Sequence, residues 1–320
     1  MSIQPVVTLP PVTNPRESQW AAWYRAARPR SLTATYIPLL LAAVIAIDQG
    51  VFDLLRFALS MIAALALQIG ANLVNEYFDY VRGADAEKQA GMGMVIKNAV
   101  LTPRAVLYGA IATVGLGIIL GLILAALSGP LLLLIGLGGV LVVVLYTAGP
   151  LPLAYIGLGE IAVFIFMGPL MVLGAYYVMA RSLSWSPVLA ALPIACLVAA
   201  ILHANNVRDL EADRAVNKRT LAVIFGRRFA RAEYFALLGG AYIALIILVT
   251  VGQMPWLTLI ALVTLQEARR LIQLTNESED PAILHQVQGR TARLHRDFGA
   301  AVIIGWLAML LLAAVLRNIS

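Results

Sequence analysis

The chain has 320 residues, 61% of them hydrophobic and 12% charged, with a formal net charge of +6. Soluble domains carry about 45–50% apolar and ~25% charged residues, so an ordinary soluble enzyme and a disordered chain are both excluded. Cys196 is the single cysteine, which excludes a disulfide framework and a cysteine metal centre.

Residues 1–26 read as a polar, Pro-rich tail (Pro5, Pro10, Pro11, Pro15) that becomes an interfacial segment around Trp20, Trp23 and Tyr24. With no apolar stretch before a small-residue cleavage site, no signal peptide is expected. Residues 27–320 read as one transmembrane domain. Apolar runs lie near 33–50, 54–76, 104–127, 130–147, 155–179, 187–206, 232–251, 254–272 and 298–316. A span needs about 20 mostly apolar residues. Hydrocarbon cannot satisfy open backbone groups, so the runs predict an all-α polytopic membrane protein of about nine helices.

With the N-terminus in the cytoplasm, nine spans place twenty of the 23 Lys and Arg residues on one side; only Arg56, Arg181 and Arg317 fall outside. This is the positive-inside asymmetry. It predicts a multi-pass cell-membrane protein whose long, polar connections are cytoplasmic. It also assigns the basic charge to orientation and anionic lipid rather than to nucleic acid.

Two acidic groups close spans that run inward. Glu76, Asp79 and Asp85 follow the second run; Asp209, Glu211 and Asp213 follow the sixth. The stretch Ala71-Asn72-Leu73-Val74-Asn75-Glu76 parallels Ala204-Asn205-Asn206-Val207-Arg208-Asp209, which suggests duplicated halves with a site between them. Helical spacing places Asn72, Asn75 or Glu76, and Asp79 on one face, and Asn206, Asp209 and Asp213 on another. Carboxylates so placed repel each other and need a cation. Carboxylate and amide oxygens are hard donors of the kind Mg²⁺ takes while keeping room for substrate phosphates. The alternative is a pair of solvated helix ends partnered by Arg82, Arg208 and Arg214. Lys218 and Arg219 follow the second group and are placed to neutralise a diphosphate. His203, one turn before it, reads as a hydrogen-bonded packing residue. Between the fourth and fifth runs, Tyr146 to Glu160 carries no basic residue and several Gly and Pro. Tyr146 and Tyr155 there are either interfacial belt residues or π-faces for a developing cation, and Glu160 needs a partner.

Taken together these residues resemble the UbiA superfamily of intramembrane prenyltransferases. Ala27-Arg28-Pro29-Arg30-Ser31-Leu32-Thr33 resembles the start of the family's first helix. Asn72 through Asp85 looks like its first Asp-rich motif, and Asn206 through Val223 like its second. Lys218-Arg219-Thr220-Leu221-Ala222-Val223 and Tyr146 to Glu160 look most like the menaquinone-pathway branch. The resemblance implies a nine-helix bundle around a lipid-accessible cavity. It also implies Mg²⁺-dependent ionisation of a polyprenyl diphosphate and attack by an aromatic acid, 1,4-dihydroxy-2-naphthoate in that branch. On this reading Asn75, Asp79 and Asp85 serve one metal ion and Asn206, Asp209 and Asp213 a second. Asp79, Asp209 and Asp213 are then the catalytic carboxylates, assisted by Arg208, Lys218 and Arg219. Glu76 stands where the family commonly has Asp, and Met94 near where the branch usually has Arg; Lys97 is the candidate replacement for that Arg. Other acceptors (4-hydroxybenzoate, a chlorophyllide, a lipid) stay open. An anion transporter is disfavoured because the acids crowd one face rather than the midplane.

Overall fold

The computed structural model describes residues 18–83, 93–146 and 152–319; Asp85 lies outside them. Among these residues the architecture is helical throughout. In chain order the helices are α1 (Gln19–Ala26), α2 (Thr33–Asp48), α3 (Leu54–Val81), α4 (Pro103–Ser128), α5 (Leu131–Leu145), α6 (Gly159–Met167) and α7 (Pro169–Ala180). There follow α8 (Trp185–Ala190), α9 (Leu192–Arg208), α10 (Leu210–Ala215), α11 (Leu221–Thr250), α12 (Leu265–Glu277) and α13 (Pro281–Ile319).

Local chemistry sets the boundaries. Asp53, Thr102 and Thr220 cap α3, α4 and α11 by accepting from the backbone N–H three residues on. Pro169 cannot donate to α6, so α6 and α7 meet at a break at Gly168. A side chain on Gly168 would overlap Ala195 of α9, so the break is also a close helix crossing.

Each of the nine expected apolar runs falls on a helix or a broken helix. Five spans are long and apolar enough to cross a membrane: α3, α4, α6 with α7, α11 and α13. A sixth is reached by joining Gln19–Ser31 to α2 across a 53° bend. Helices α5 and α9 are apolar but shorter. At 1.5 Å per residue α5 covers only about 22 Å of a ~30 Å hydrocarbon core. The expected run at 254–272 divides. Trp256–Thr264 is an apolar 3₁₀ stretch, after which α12 is amphipathic, with Glu267 ion-paired to Arg290 of α13.

The main core is built on α2. Ile37, Leu41 and Ile45 pack among Val172 of α7, Ile194 and Leu197 of α9, Leu238 and Leu245 of α11, and Phe298 of α13. A second cluster joins Ala22 and Ala26 of α1 to Leu73 of α3, Val95 and Ile96 of the following connection, and Val106 of α4. Helix α1 is thus docked by one face, while Trp20 and Tyr24 on the other are exposed. Helices α3 and α9 end on the same side of the bundle and carry the two acidic motifs there.

Small residues allow the close crossings, as expected where packing rather than water drives helix association. A Cβ on Gly305 would press into the backbone of Leu257 and Thr258, whereas one on Gly239 meets nothing within 4 Å. Gly305→Leu should therefore cost about 1–3 kcal/mol, read as a lower unfolding temperature in detergent. Gly239→Ala should match or exceed the parent protein.

Candidate functional site

The end of α3 distributes its polar residues among different partners. Asn72 Nδ2 donates to Ala27 O at 2.8 Å and to Ser31 Oγ at 3.2 Å, tying the segment before α2 to α3. Asn75 faces an internal cavity. Asp79, buried, accepts from the Tyr155 hydroxyl at 3.2 Å.

Glu76, the alternative to Asn75 on the face shared with Asp79, is engaged elsewhere. Its Oε1 accepts from the backbone N–H of Val95 at 2.6 Å and of Ile96 at 3.4 Å, and its Oε2 from that of Met94 at 3.0 Å. Arg28 Nη2 adds an ion pair at 3.2 Å. Three successive amides form a nest for one carboxylate, an arrangement that turns of this kind offer to anions. The turn requires positive φ at Gly93 (85°) and Met94 (55°), and a Cβ on Gly93 would overlap Glu76 Oε2. Met94 is therefore engaged through its backbone. Lys97, exposed, rides on the same turn.

In the second motif Asn206 Nδ2 donates to Glu160 Oε1 at 2.7 Å, so this side chain has its oxygen left to offer. Arg208 grips Asp209 through two bonds, Nε to Oδ1 at 2.7 Å and Nη2 to Oδ2 at 2.6 Å, and its Nη1 lies 3.1 Å from His285 Nδ1. Asp213 is fully buried, with Lys218 Nζ 3.3 Å from its Oδ1. Arg219 is exposed, but its backbone N–H donates to Tyr155 O at 3.2 Å.

Tyr155 therefore joins the two motifs. Its hydroxyl reaches Asp79 of the first. Its ring lies 5.6 Å from Lys218 Nζ of the second and 5.0 Å from the Arg82 guanidinium, both within cation–π range. Asn75 and Asn205 face the same cavity of about 240 Å³, together with Arg28 and Tyr146. That cavity shares Ala64, Leu67, Gly139, Phe166 and Met171 with a larger, almost wholly apolar one of about 500 Å³ between α3, α4, α5 and α7. The two cavities therefore adjoin, the smaller with Arg28, Asn75 and Asn205 among its walls and the larger with almost none but aliphatic side chains.

The acids and amides gathered here are oxygen donors, which suits Mg²⁺ better than a soft metal. Sequence reasoning had no means of finding Glu160's partner. His203 lies 43 positions away in the chain, and its Nδ1 is 3.1 Å from Glu160 Oε1. Nor could it show that Asn205, rather than its neighbour, lines the cavity.

A family model described as "UbiA prenyltransferase family" matches residues 35–284. The 1,4-dihydroxy-2-naphthoate octaprenyltransferase of Bacillus subtilis is 35% identical over 293 residues, covering 91% of this chain and 94% of that one. The protein of the same name from Mycobacterium tuberculosis is also 35% identical, over 239 residues, covering 75% and 81%. A solved UbiA homolog from Archaeoglobus fulgidus, bound to GPP and Mg²⁺, superposes with a TM-score of 0.61 at 17% identity, covering 88% of this chain and 99% of that one.

The Glu76 nest yields a test. Gly93→Ala should cost about 1–3 kcal/mol for the left-handed backbone alone, and more for displacing Glu76. Limited proteolysis should then cut faster between α3 and α4. An unchanged cutting rate would mean that the nest does not hold this turn.

Proposed function

Because the chain belongs to the UbiA prenyltransferase family, we propose that it transfers a polyprenyl group from its diphosphate to 1,4-dihydroxy-2-naphthoate. The observation that carries this reading is the pair of adjoining cavities. The smaller is lined by Asn72 and Asn75 of the first motif and by Asn205 next to the second, and the larger is apolar, matching a substrate with a charged head and an isoprenoid tail. The names of the two bacterial relatives support the choice of acceptor.

In this reading Asn75 and Asp79 on one side, and Asn206, Asp209 and Asp213 on the other, would hold Mg²⁺; Asp85 belongs to the first set by position in the motif. Bound there, Mg²⁺ neutralises charge that builds on the departing diphosphate. Lys218 and Arg208, paired with Asp213 and Asp209 of the second motif, would be the cations at hand to meet the diphosphate oxygens. Arg219 and Lys97, both exposed, are the further basic residues assigned to the diphosphate. The Tyr146 and Tyr155 rings offer π-faces to the allylic C1 as its C–O bond breaks and the electron pair leaves with diphosphate. The apolar walls hold the tail and exclude water from that carbon. An electron-rich ring carbon bonds to C1 and gives up its proton to restore aromaticity; the carboxylate leaves as CO₂, and the electron pair of the broken C–C bond takes up a proton at the vacated carbon.

Residues 27–320 form the transferase domain, and α1 packs against it through Ala22 and Ala26. The polar ends of α3 and α9 face the cytoplasm, in line with the basic residues there.

Asp79→Ala or Asp213→Ala should lower turnover at least a hundredfold while leaving membrane insertion intact. Purified protein with Mg²⁺ and a polyprenyl diphosphate should prenylate the naphthoate in preference to 4-hydroxybenzoate, read by product mass. The opposite preference would assign it to another branch. For orientation, Asn276→Cys in a Cys196→Ala background should resist membrane-impermeant thiol reagents in intact cells; labelling would invert the topology.

A further inference from the structure

Behind the second motif lies a buried polar group that the reaction above does not use. Glu160 is 4% exposed at the first turn of α6, and His203 of α9 is fully buried. His203 Nε2 stands 2.7 Å from Ala230 O of α11, and its Nδ1 stands 3.1 Å from Glu160 Oε1 and 3.6 Å from Glu233 Oε2. A carbonyl oxygen only accepts, so Nε2 carries a hydrogen. The Nδ1–Glu160 contact then needs a further proton shared between the two. The histidine is thus clamped between helices α6 and α11, and Glu160 is held in one position. The same Oε1 accepts from Asn206 Nδ2 at 2.7 Å.

We propose that Glu160 and His203 are positioning residues that aim Asn206 at the metal. An Asn side chain can rotate to present either its oxygen or its NH₂, and only the oxygen ligates a hard cation. With Nδ2 given to Glu160, Oδ1 is the atom left for ligation, and His203 prevents Glu160 from moving away. Outer partners of this kind typically set metal affinity by ten- to a hundredfold. The inference rests on the proposed role of Asn206 in the Mg²⁺ cradle.

The test uses the full chain in nanodiscs with Mn²⁺ as the probe and a non-ionising thiodiphosphate analogue of the prenyl donor, read by Mn²⁺ electron paramagnetic resonance without turnover. Glu160→Ala and Asn206→Ala should each weaken Mn²⁺ binding about tenfold or more. The double variant should be no weaker than Asn206→Ala alone, since Glu160 acts through that residue. Glu160→Gln, which keeps an acceptor oxygen and the shape, should bind within about twofold of the parent; it also covers the case in which Glu160→Ala fails to fold. Additive losses, an unaffected Glu160→Ala, or a Glu160→Gln as weak as Glu160→Ala would each overturn the positioning role. So would a stoichiometric transition metal found bound to Glu160, His203 and Glu233. A parent protein that binds no Mn²⁺ would instead sink the cradle itself.

Discussion

A carboxylate among membrane helices costs several kcal/mol unless a donor or cation meets it, and this fold meets that cost by making acids its crosslinks. Glu76 of α3 holds the Met94–Ile96 turn and Arg28. Glu160 of α6 holds His203 and Asn206 of α9. Asp79 reaches Tyr155, and Asp213 reaches Lys218. Apolar contact alone discriminates little between helix arrangements in lipid, because tails are as greasy as leucine. The polar pairings are specific, and they determine which helices meet around the cavity.

The same constraint explains where function sits. Polar groups are affordable only near helix ends, where water and headgroups reach, so a site for a charged headgroup belongs at the ends of α3 and α9. A tail of many isoprene units needs the opposite surroundings. The two cavities share lining residues and differ in character, with Arg28, Asn75, Tyr146 and Asn205 around one and aliphatic side chains around the other. Glycines keep the apolar part open: Gly121, Gly136 and Gly139 line it, and a Cβ on any of them would meet nothing within 4 Å.

Much of this was legible in the chain. Apolar runs mark the helices because burying open backbone in hydrocarbon leaves the sequence no other choice. The Asp motifs stand out because acids are rare near spans. What escaped was determined by distant partners. The helical face that places Glu76 beside Asp79 is real, but a nest of backbone amides draws the carboxylate aside. That nest depends on positive φ at Gly93 and Met94, which no periodicity reveals. The run at 254–272 looked like a span because Trp256 to Leu265 is apolar. Glu267, Arg269 and Arg270 end it early, and the polar remainder forms amphipathic α12.

The parallel between Ala71-Asn72-Leu73-Val74 and Ala204-Asn205-Asn206-Val207 has a spatial counterpart. Asn72 and Asn205 line one cavity from opposite helices. Beyond them the two stretches differ in chemistry. Position 75 is an amide facing the cavity; its counterpart Arg208 is a cation clamped to Asp209. Glu76 anchors a turn, whereas its counterpart Asp209 faces Arg208 and lies in the motif proposed for the metal. Two acidic helix ends brought to one cavity repel each other, and each buried carboxylate needs its own cation or donors. Giving one acid to a backbone nest and pairing the other with an arginine resolves that repulsion. It leaves the two halves unlike each other, as a site for an asymmetric diphosphate ester requires.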